Sequence, residues 1–241
     1  MVETKQADAG TAEALRDVIA HRYSDRGRYD IDRRLTETEL RAILEAARWA
    51  PTPHNMQNFE IVVVDDPAML EAIGRISVRT SLTFIRENYA QLSFTEAELQ
   101  RKGTGILAAS FPVAWLTPDP GPEAVAGTAT LADTMRSCPL VLLVLYDRRR
   151  RAPASDGDVL GLLGLGCVMQ NMWLTADAIG LAMQIMSVFS NEDVQSQLRP
   201  LLGIPPHLDI AFACRLGHPL DAGPPRLRVR RPVTRFAHRN R

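Results

Sequence analysis

Cysteine is scarce. Three thiols, Cys138, Cys167 and Cys214, are scattered along 241 residues; an odd number at irregular spacing excludes a disulfide framework. No Cys-x-x-Cys pair and no Cys/His pairing with metal-ligand spacing occurs, so no metal site is expected. The thiols read as reduced and buried, as in a cytoplasmic protein. The segment from Met1 to Gly10 is polar and acidic and lacks the apolar core of a signal peptide, in keeping with that expectation. Lysine is nearly missing: Lys5 and Lys102 stand alone among 28 basic residues, and the rest are arginine. Net charge is also missing, with 28 acidic groups against 28 basic ones. What is present is ordinary globular material, 46% hydrophobic and 23% charged, which excludes disorder, collagen and coiled coil. The length suffices for one well-buried domain, and no internal repeat or long linker divides it.

The zero net charge conceals an asymmetry. Residues 222–241 contain seven arginines (226, 228, 230, 231, 235, 239 and 241) and no acid, so the first 221 residues carry a net −7. A second irregularity is the uncharged run from Val159 to Ala176, eighteen residues and long enough to raise the question of a membrane helix. Gln170 and Asn171 lie within it, Asp177 follows it, and no similar segment stands nearby. The run therefore reads as a central helix buried on all sides or placed at a subunit interface, and no membrane is expected.

The rest of the chain alternates helix and strand signals. Ala12 to His21 reads as a helix with Leu15, Val18 and Ile19 on one face. Thr36-Glu37-Thr38-Glu39 is a capping box opening a second helix, with Leu40, Ile43, Leu44 and Ala47 on its apolar face and Pro51 just beyond its end. Phe59 to Val64 reads as a strand. Asp66-Pro67 then starts another helix. A helix is expected near Leu82 to Leu92, a further capping box at Thr95 to Glu98, and a strand-like run from Ile106 to Leu116. Pro118-Asp119-Pro120-Gly121-Pro122 is loop. Leu140 to Tyr146 is a continuous apolar strand. The uncharged helix runs to Ile179, a short strand covers Ala182 to Met186, Ser190 caps a helix ending near Leu202-Gly203, and Asp209 to Leu216 is the last strand. About five strands interleaved with helices make a sheet with helices on its faces, its strand directions left open by the pattern.

Three segments carry chemistry. In His21-Arg22-Tyr23-Ser24-Asp25-Arg26-Gly27-Arg28 the helix signal stops, and an extended backbone puts Arg22, Ser24, Arg26 and Arg28 on one face with Asp25 on the other. Guanidiniums flanking a hydroxyl suit a phosphate, because forked donors match its oxygens; a solvated charged loop is the alternative. Arg226, Arg228 and Arg230 repeat the alternate spacing, either as a nonspecific nucleic-acid tail or as a second arm closing on the same anion. Between them, Pro51-Thr52-Pro53-His54-Asn55-Met56-Gln57-Asn58 is a stiff polar loop between helix and strand, either a ligand wall or a plain connection. Gly161 to Gly166 has the wrong glycine order for a dinucleotide fingerprint and reads as close helix packing. Arg148 to Arg151 reads as a solvated loop. Met183 and Met186 read as core.

Taken in order, the Arg-x-Ser-x-Arg segment, Ala50-Pro51-Thr52 with Asn55 and Gln57, the run Gly166-Cys167-Val168-Met169-Gln170-Asn171, and Arg215-Leu216-Gly217-His218-Pro219 followed by an Arg-x-Arg arm resemble the FMN-dependent nitroreductase family. The resemblance covers roughly residues 12–76 and 137–235. It implies an α+β fold, a mixed and largely antiparallel sheet flanked by helices, in one nitroreductase-like domain spanning 1–241, with a lid or insertion within 77–136 and an arm at 222–241. It also implies FMN, with Arg22, Tyr23, Ser24 and Arg26 at the phosphate and ribityl chain. Pro51, Thr52, Pro53 and Asn55 would lie along the ring system, Met186 and Ser187 near its reactive nitrogen through their backbone, and Arg228 and Arg230 at the phosphate again. No catalytic side chain and no metal are implied. NADH or NADPH would be the reductant and a small organic molecule the acceptor (nitroaromatic, quinone or enone), in a ping-pong cycle. Two subunits would share each flavin site, without nucleic acid. Alternatives are an oxidase, dehydrogenase or dehalogenase of the same fold, or a nucleic-acid-binding protein using the basic tail. Asn58-Phe59 and Tyr23 depart from the family pattern.

Overall fold

In the computed structural model, residues 9–111, 129–153, 156–220 and 227–240 are described. The chain forms two compact units, Met1–Ile76 with Leu131–Ala222, and Ser77–Thr130 with Gly223–Arg241.

The first unit is built on an antiparallel sheet of four strands in the order β1-β4-β6-β5, where β1 is Phe59–Val64, β4 Leu140–Asp147, β5 Ala182–Met186 and β6 Leu208–Gly217. β4 is buried at every position, as its unbroken apolar run requires of an interior strand. Its register pairs Val144 with Ile61 on one side and with Phe212 on the other, and a bulge follows between Val144 and Leu145. One face of the sheet is covered by α2 (Glu37–Arg48) and α7 (Val159–Ala178). Ile43 and Ala47 of α2, Leu165, Val168, Met172 and Ala176 of α7, and Leu142, Val144, Cys214 and Leu216 of the sheet make one apolar cluster. The α2 capping box forms as expected, Thr36 accepting from the Glu39 N–H and Glu39 accepting from the Thr36 N–H. Asp66 caps α3 (Pro67–Gly74), which meets α6 (Ala129–Arg136) at Gly74. All three thiols are free; burial pushes Cys138 up to about 11 and raises Cys214 further, so neither is a thiolate near neutral pH.

Several expectations are corrected. α7 passes by length and composition as a helix able to cross a membrane, yet it lies on the sheet with one face buried and the other open. Leu162 and Leu163 are 63% and 61% exposed, so burial on all sides does not hold within one chain. The apolar face expected to seat α1 (Ala9–His21) also lies open, and no residue of that helix is buried. α8 (Glu192–Leu202) is capped by Asn191, not Ser190. The Ser190 hydroxyl donates to the Ser187 carbonyl inside a preceding turn, which leaves Asn191 Oδ1 to accept from the Asp193 N–H. Arg148–Arg150 is exposed after the buried strand as expected, in a short turn that ion pairs hold. Asp147 accepts from the backbone and side chain of Arg149, which hold its carboxyl down to about 2, and Arg148 pairs with Asp209 at 2.8 Å.

The second unit contains α4 (Leu82–Leu92), β2 (Ser93–Phe94), α5 (Glu96–Lys102) and β3 (Ile106–Leu107). The expected strand through Leu116 stops at Leu107 because its partner β2 has only two residues; Phe111 N–H instead closes a turn on the Ala108 carbonyl. Residues 112–116 and the loop 118–122 lie outside the described residues. The Thr95–Glu98 capping box opens α5 as expected, and Gly103 ends it at φ +67°. The C-terminal arm lies against that end, with Arg231 N 3.3 Å from the place a Gly103 Cβ would take.

Candidate anion site on the edge strand

β5 is an edge strand, and residues 22–29 run along it as a strap. Asp25 N–H donates to the Met183 carbonyl on the open edge of β5, and Tyr29 N–H to the Ser137 carbonyl just before β4. Asp25 points inward as the alternation expects. It is 3% exposed, and its carboxylate accepts from the Tyr23 hydroxyl at 2.6 Å and the Gly27 N–H at 2.7 Å. Ser24 is half-buried and Arg26 exposed. Neither the Ser24 hydroxyl nor the Arg26 guanidinium has a partner among the described residues. Arg22 is held differently, its guanidinium 4.3 Å over the Trp173 ring, while Trp173 Nε1–H donates to the Tyr23 carbonyl at 2.9 Å. A stacked cation of this kind contributes roughly 0.5–2 kcal/mol and fixes the direction of a flexible side chain.

Three residues without a site role assigned from sequence set this geometry. Arg215, 3% exposed in β6, donates to the carbonyls of Gly27 (2.7 Å) and Asp25 (3.4 Å), to Gln184 Oε1 (2.7 Å) and to Ser137 Oγ (3.1 Å). Tyr29 lies under its guanidinium at 4.4 Å and donates its hydroxyl to the Asp25 carbonyl. Burial raises the Tyr29 phenol well above the ordinary range, so it stays a donor. Gly217 is the third: a Cβ there would lie 2.8 Å from both Tyr29 Cβ and Pro139 Cδ. The available signals were a charged residue directly after the apolar run Ile210–Cys214 and the Gly217-His218 step after it.

Gly217→Ala is therefore expected to overpack the strap against the sheet, at about 2 kcal/mol, lowering Tm by about 6 °C. Differential scanning calorimetry checks it; an unchanged Tm refutes the close approach.

The proline loop is ordered by its own bonds. Thr52 Oγ1 accepts from Gln57 N–H, Asn55 N–H donates to the Thr52 carbonyl, and Gln57 Nε2 donates to Asn55 Oδ1. His54, Asn55 and Gln57 all have positive φ, a costly backbone that the surrounding contacts must enforce. The loop packs on α7 where Gly164 leaves room, 3.1 Å from an added Cβ to Pro53 Cδ. Gly161 is likewise tight, against the Tyr146 hydroxyl, whereas Gly166 faces open space. Close packing thus holds for two of the three glycines. The departure at residue 58 has a structural role: buried Asn58 donates to the Arg150 carbonyl and accepts from Asp147 N–H.

α7 connects the two groups. Gly164 carries the loop and Trp173 the strap, nine residues or about 14 Å apart along the helix axis. Met186 ends β5 and Ser187 opens the turn that follows, beyond the point where Met183 receives the strap; the Met186 side chain is core and Ser187 is exposed. Arg228 and Arg230 belong to the second unit. A cleft of about 410 Å³ opens elsewhere, between Tyr146, Arg148, Arg151, Asp158, Leu162 and Leu165, and contains no residue nominated from sequence.

A long helix across a four-stranded antiparallel sheet, with a strap bonded to its edge strand, defines an α+β protein. The Nitroreductase family model matches residues 19–218, and the chain belongs to that family of oxidoreductases. Solved structures share the fold. A Desulfovibrio desulfuricans protein in complex with FMN is 20% identical at TM-score 0.60, covering 98% of this chain and 99% of its own. A Bacteroides fragilis nitroreductase with bound FMN is 17% identical at TM-score 0.55, covering 90% and 94%. A nitroreductase-like family protein from Bacillus cereus is 17% identical at TM-score 0.60, covering 98% of each.

Proposed function

We propose that this chain is a homodimeric, cytoplasmic enzyme that binds FMN and moves two electrons from NADH or NADPH to a small organic acceptor of the nitroaromatic, quinone or enone type. The observation that carries the reading is the strap. Ser24 and Arg26 present a hydroxyl and a guanidinium outward from a backbone pinned on its inner side, a donor set that fits a phosphate. Bound there, FMN would supply the two-electron chemistry, which a protein tunes but does not itself perform.

The chain's own residues bind and orient. Arg22, on Trp173, Ser24 and Arg26 would hold the phosphate, with Tyr23 contributing through its backbone. Pro51, Thr52, Pro53 and Asn55 would lie against the ring system, where a stiff loop fixes its distance and excludes water. Met186 and Ser187 would offer backbone groups at the end of β5. Arg228 and Arg230 would add charge at the phosphate, and residues within 77–136 would shape the acceptor side. The open apolar faces of α1 and α7 support a dimer.

The visible spectrum of the purified protein tests the reading. A yellow protein, or one made yellow by added FMN, that oxidises NADH or NADPH with a quinone supports it. A protein still colourless after FMN addition and dialysis overturns it.

A further inference from the structure

Resting on the flavin reading, we infer that Arg215 is a positioning residue of the phosphate site, one that turns main-chain N–H groups of the strap toward the anion without touching it. The peptide unit is planar and trans, so its C=O and N–H point in opposite directions. Arg215 Nη2 draws the carbonyls of Asp25 and Gly27 inward, at 3.4 and 2.7 Å, which turns the N–H groups of Arg26 and Arg28 outward. Trp173 does the same one peptide earlier, holding the Tyr23 carbonyl and turning out the N–H of Ser24.

None of these three N–H groups has a partner among the described residues. They point away from Arg215 and Trp173, beside the Ser24 and Arg26 side chains of the same residues. Successive outward N–H groups on a short strap form an anion-binding concavity in their own right. Arg215 cannot itself reach an anion there. Its Nε, Nη1 and Nη2 are spent on Gln184, Ser137 and the two carbonyls, its guanidinium lies over the Tyr29 ring, and only 3% of the residue is exposed.

The test compares FMN with riboflavin, which has the same ring system and ribityl chain but no phosphate. Affinities are measured on the full-length chain by quenching of flavin fluorescence, for wild type, Arg215→Met and Arg215→Lys. Wild type is expected to prefer FMN. Arg215→Met is expected to weaken FMN by about tenfold or more while leaving riboflavin within about twofold, the size of one lost charge-assisted contact. Hydrogen exchange of the amides of residues 22–29 in the flavin-free chain is expected to speed up, with β4 amides unchanged. Arg215→Lys keeps the charge but not the fork and should recover only part of the preference. If Arg215→Met does not fold, Arg215→Lys with Gln184→Met decides the matter by the same ratio. A folded variant that keeps the wild-type FMN-to-riboflavin ratio overturns the inference and leaves the flavin reading standing. Wild type that binds neither flavin overturns the flavin reading, and the inference with it.

Discussion

Arg26→Glu is expected to abolish useful FMN binding, raising the dissociation constant by about a hundredfold to a thousandfold, while the protein keeps its fold. Arg26 is exposed and unpartnered among the described residues, so its replacement removes no internal contact. A charged hydrogen bond to phosphate contributes roughly 1.5–3 kcal/mol, and a carboxylate in its place adds repulsion of the same order. The loss should be confined to FMN, with riboflavin little affected, and it should shrink as salt screens the repulsion. Isothermal titration at two ionic strengths, with circular dichroism to establish the fold, reads all three. Equal weakening of both flavins would place Arg26 away from the phosphate.

The second large effect concerns assembly. Val159, Leu160, Leu162 and Leu163 form an exposed apolar ridge on α7, 42–63% exposed, and α1 adds Leu15 and Ile19 at 54% and 46%. On the proposed dimer such a patch is the interface, and in a two-fold dimer each residue of it is buried twice. Covering one leucine contributes roughly 1.5 kcal/mol, so two leucines on two copies amount to about 6 kcal/mol, or about four orders of magnitude in the dimer dissociation constant. Leu162→Asp with Leu163→Asp is accordingly expected to shift sedimentation from twice 26.7 kDa to the single-chain mass. FMN should be lost with the dimer if two subunits share each site. A double variant that stays dimeric rules this ridge out as the interface.

Much of the strap was legible in the sequence because its information is local. Alternation in an extended chain places Ser24 and Arg26 opposite Asp25 whatever the surroundings, and the structure has Asp25 inward. The proline loop was legible for the same reason, since proline restricts backbone at its own position. Arg215 was not legible as an anchor. Its partners are carbonyls 188 and 190 residues away in sequence, and a backbone carbonyl carries no residue-specific signal. Ser190 and Asn191 show the limit at close range. Both can cap a helix, and the choice fell to the residue whose oxygen was not already committed to a neighbouring turn.

By itself the sequence determined the elements whose cause lies within a few residues. These are the capping boxes at Thr36 and Thr95, the Asp66-Pro67 helix start, and β4 as an interior strand with no polar side chain before Tyr146. It also put guanidiniums and a hydroxyl at alternate positions of the strap, the donor set on which the proposed phosphate site rests. Tertiary structure alone decided which face of α7 is buried, because an uncharged helix apolar all round has no periodic stripe to read. Tight packing at Gly161 and Gly164 settled that orientation and left Leu162 and Leu163 outside. It decided as well that the strap lies on β5 with its carbonyls turned in, because only folding brings a buried guanidinium beneath them.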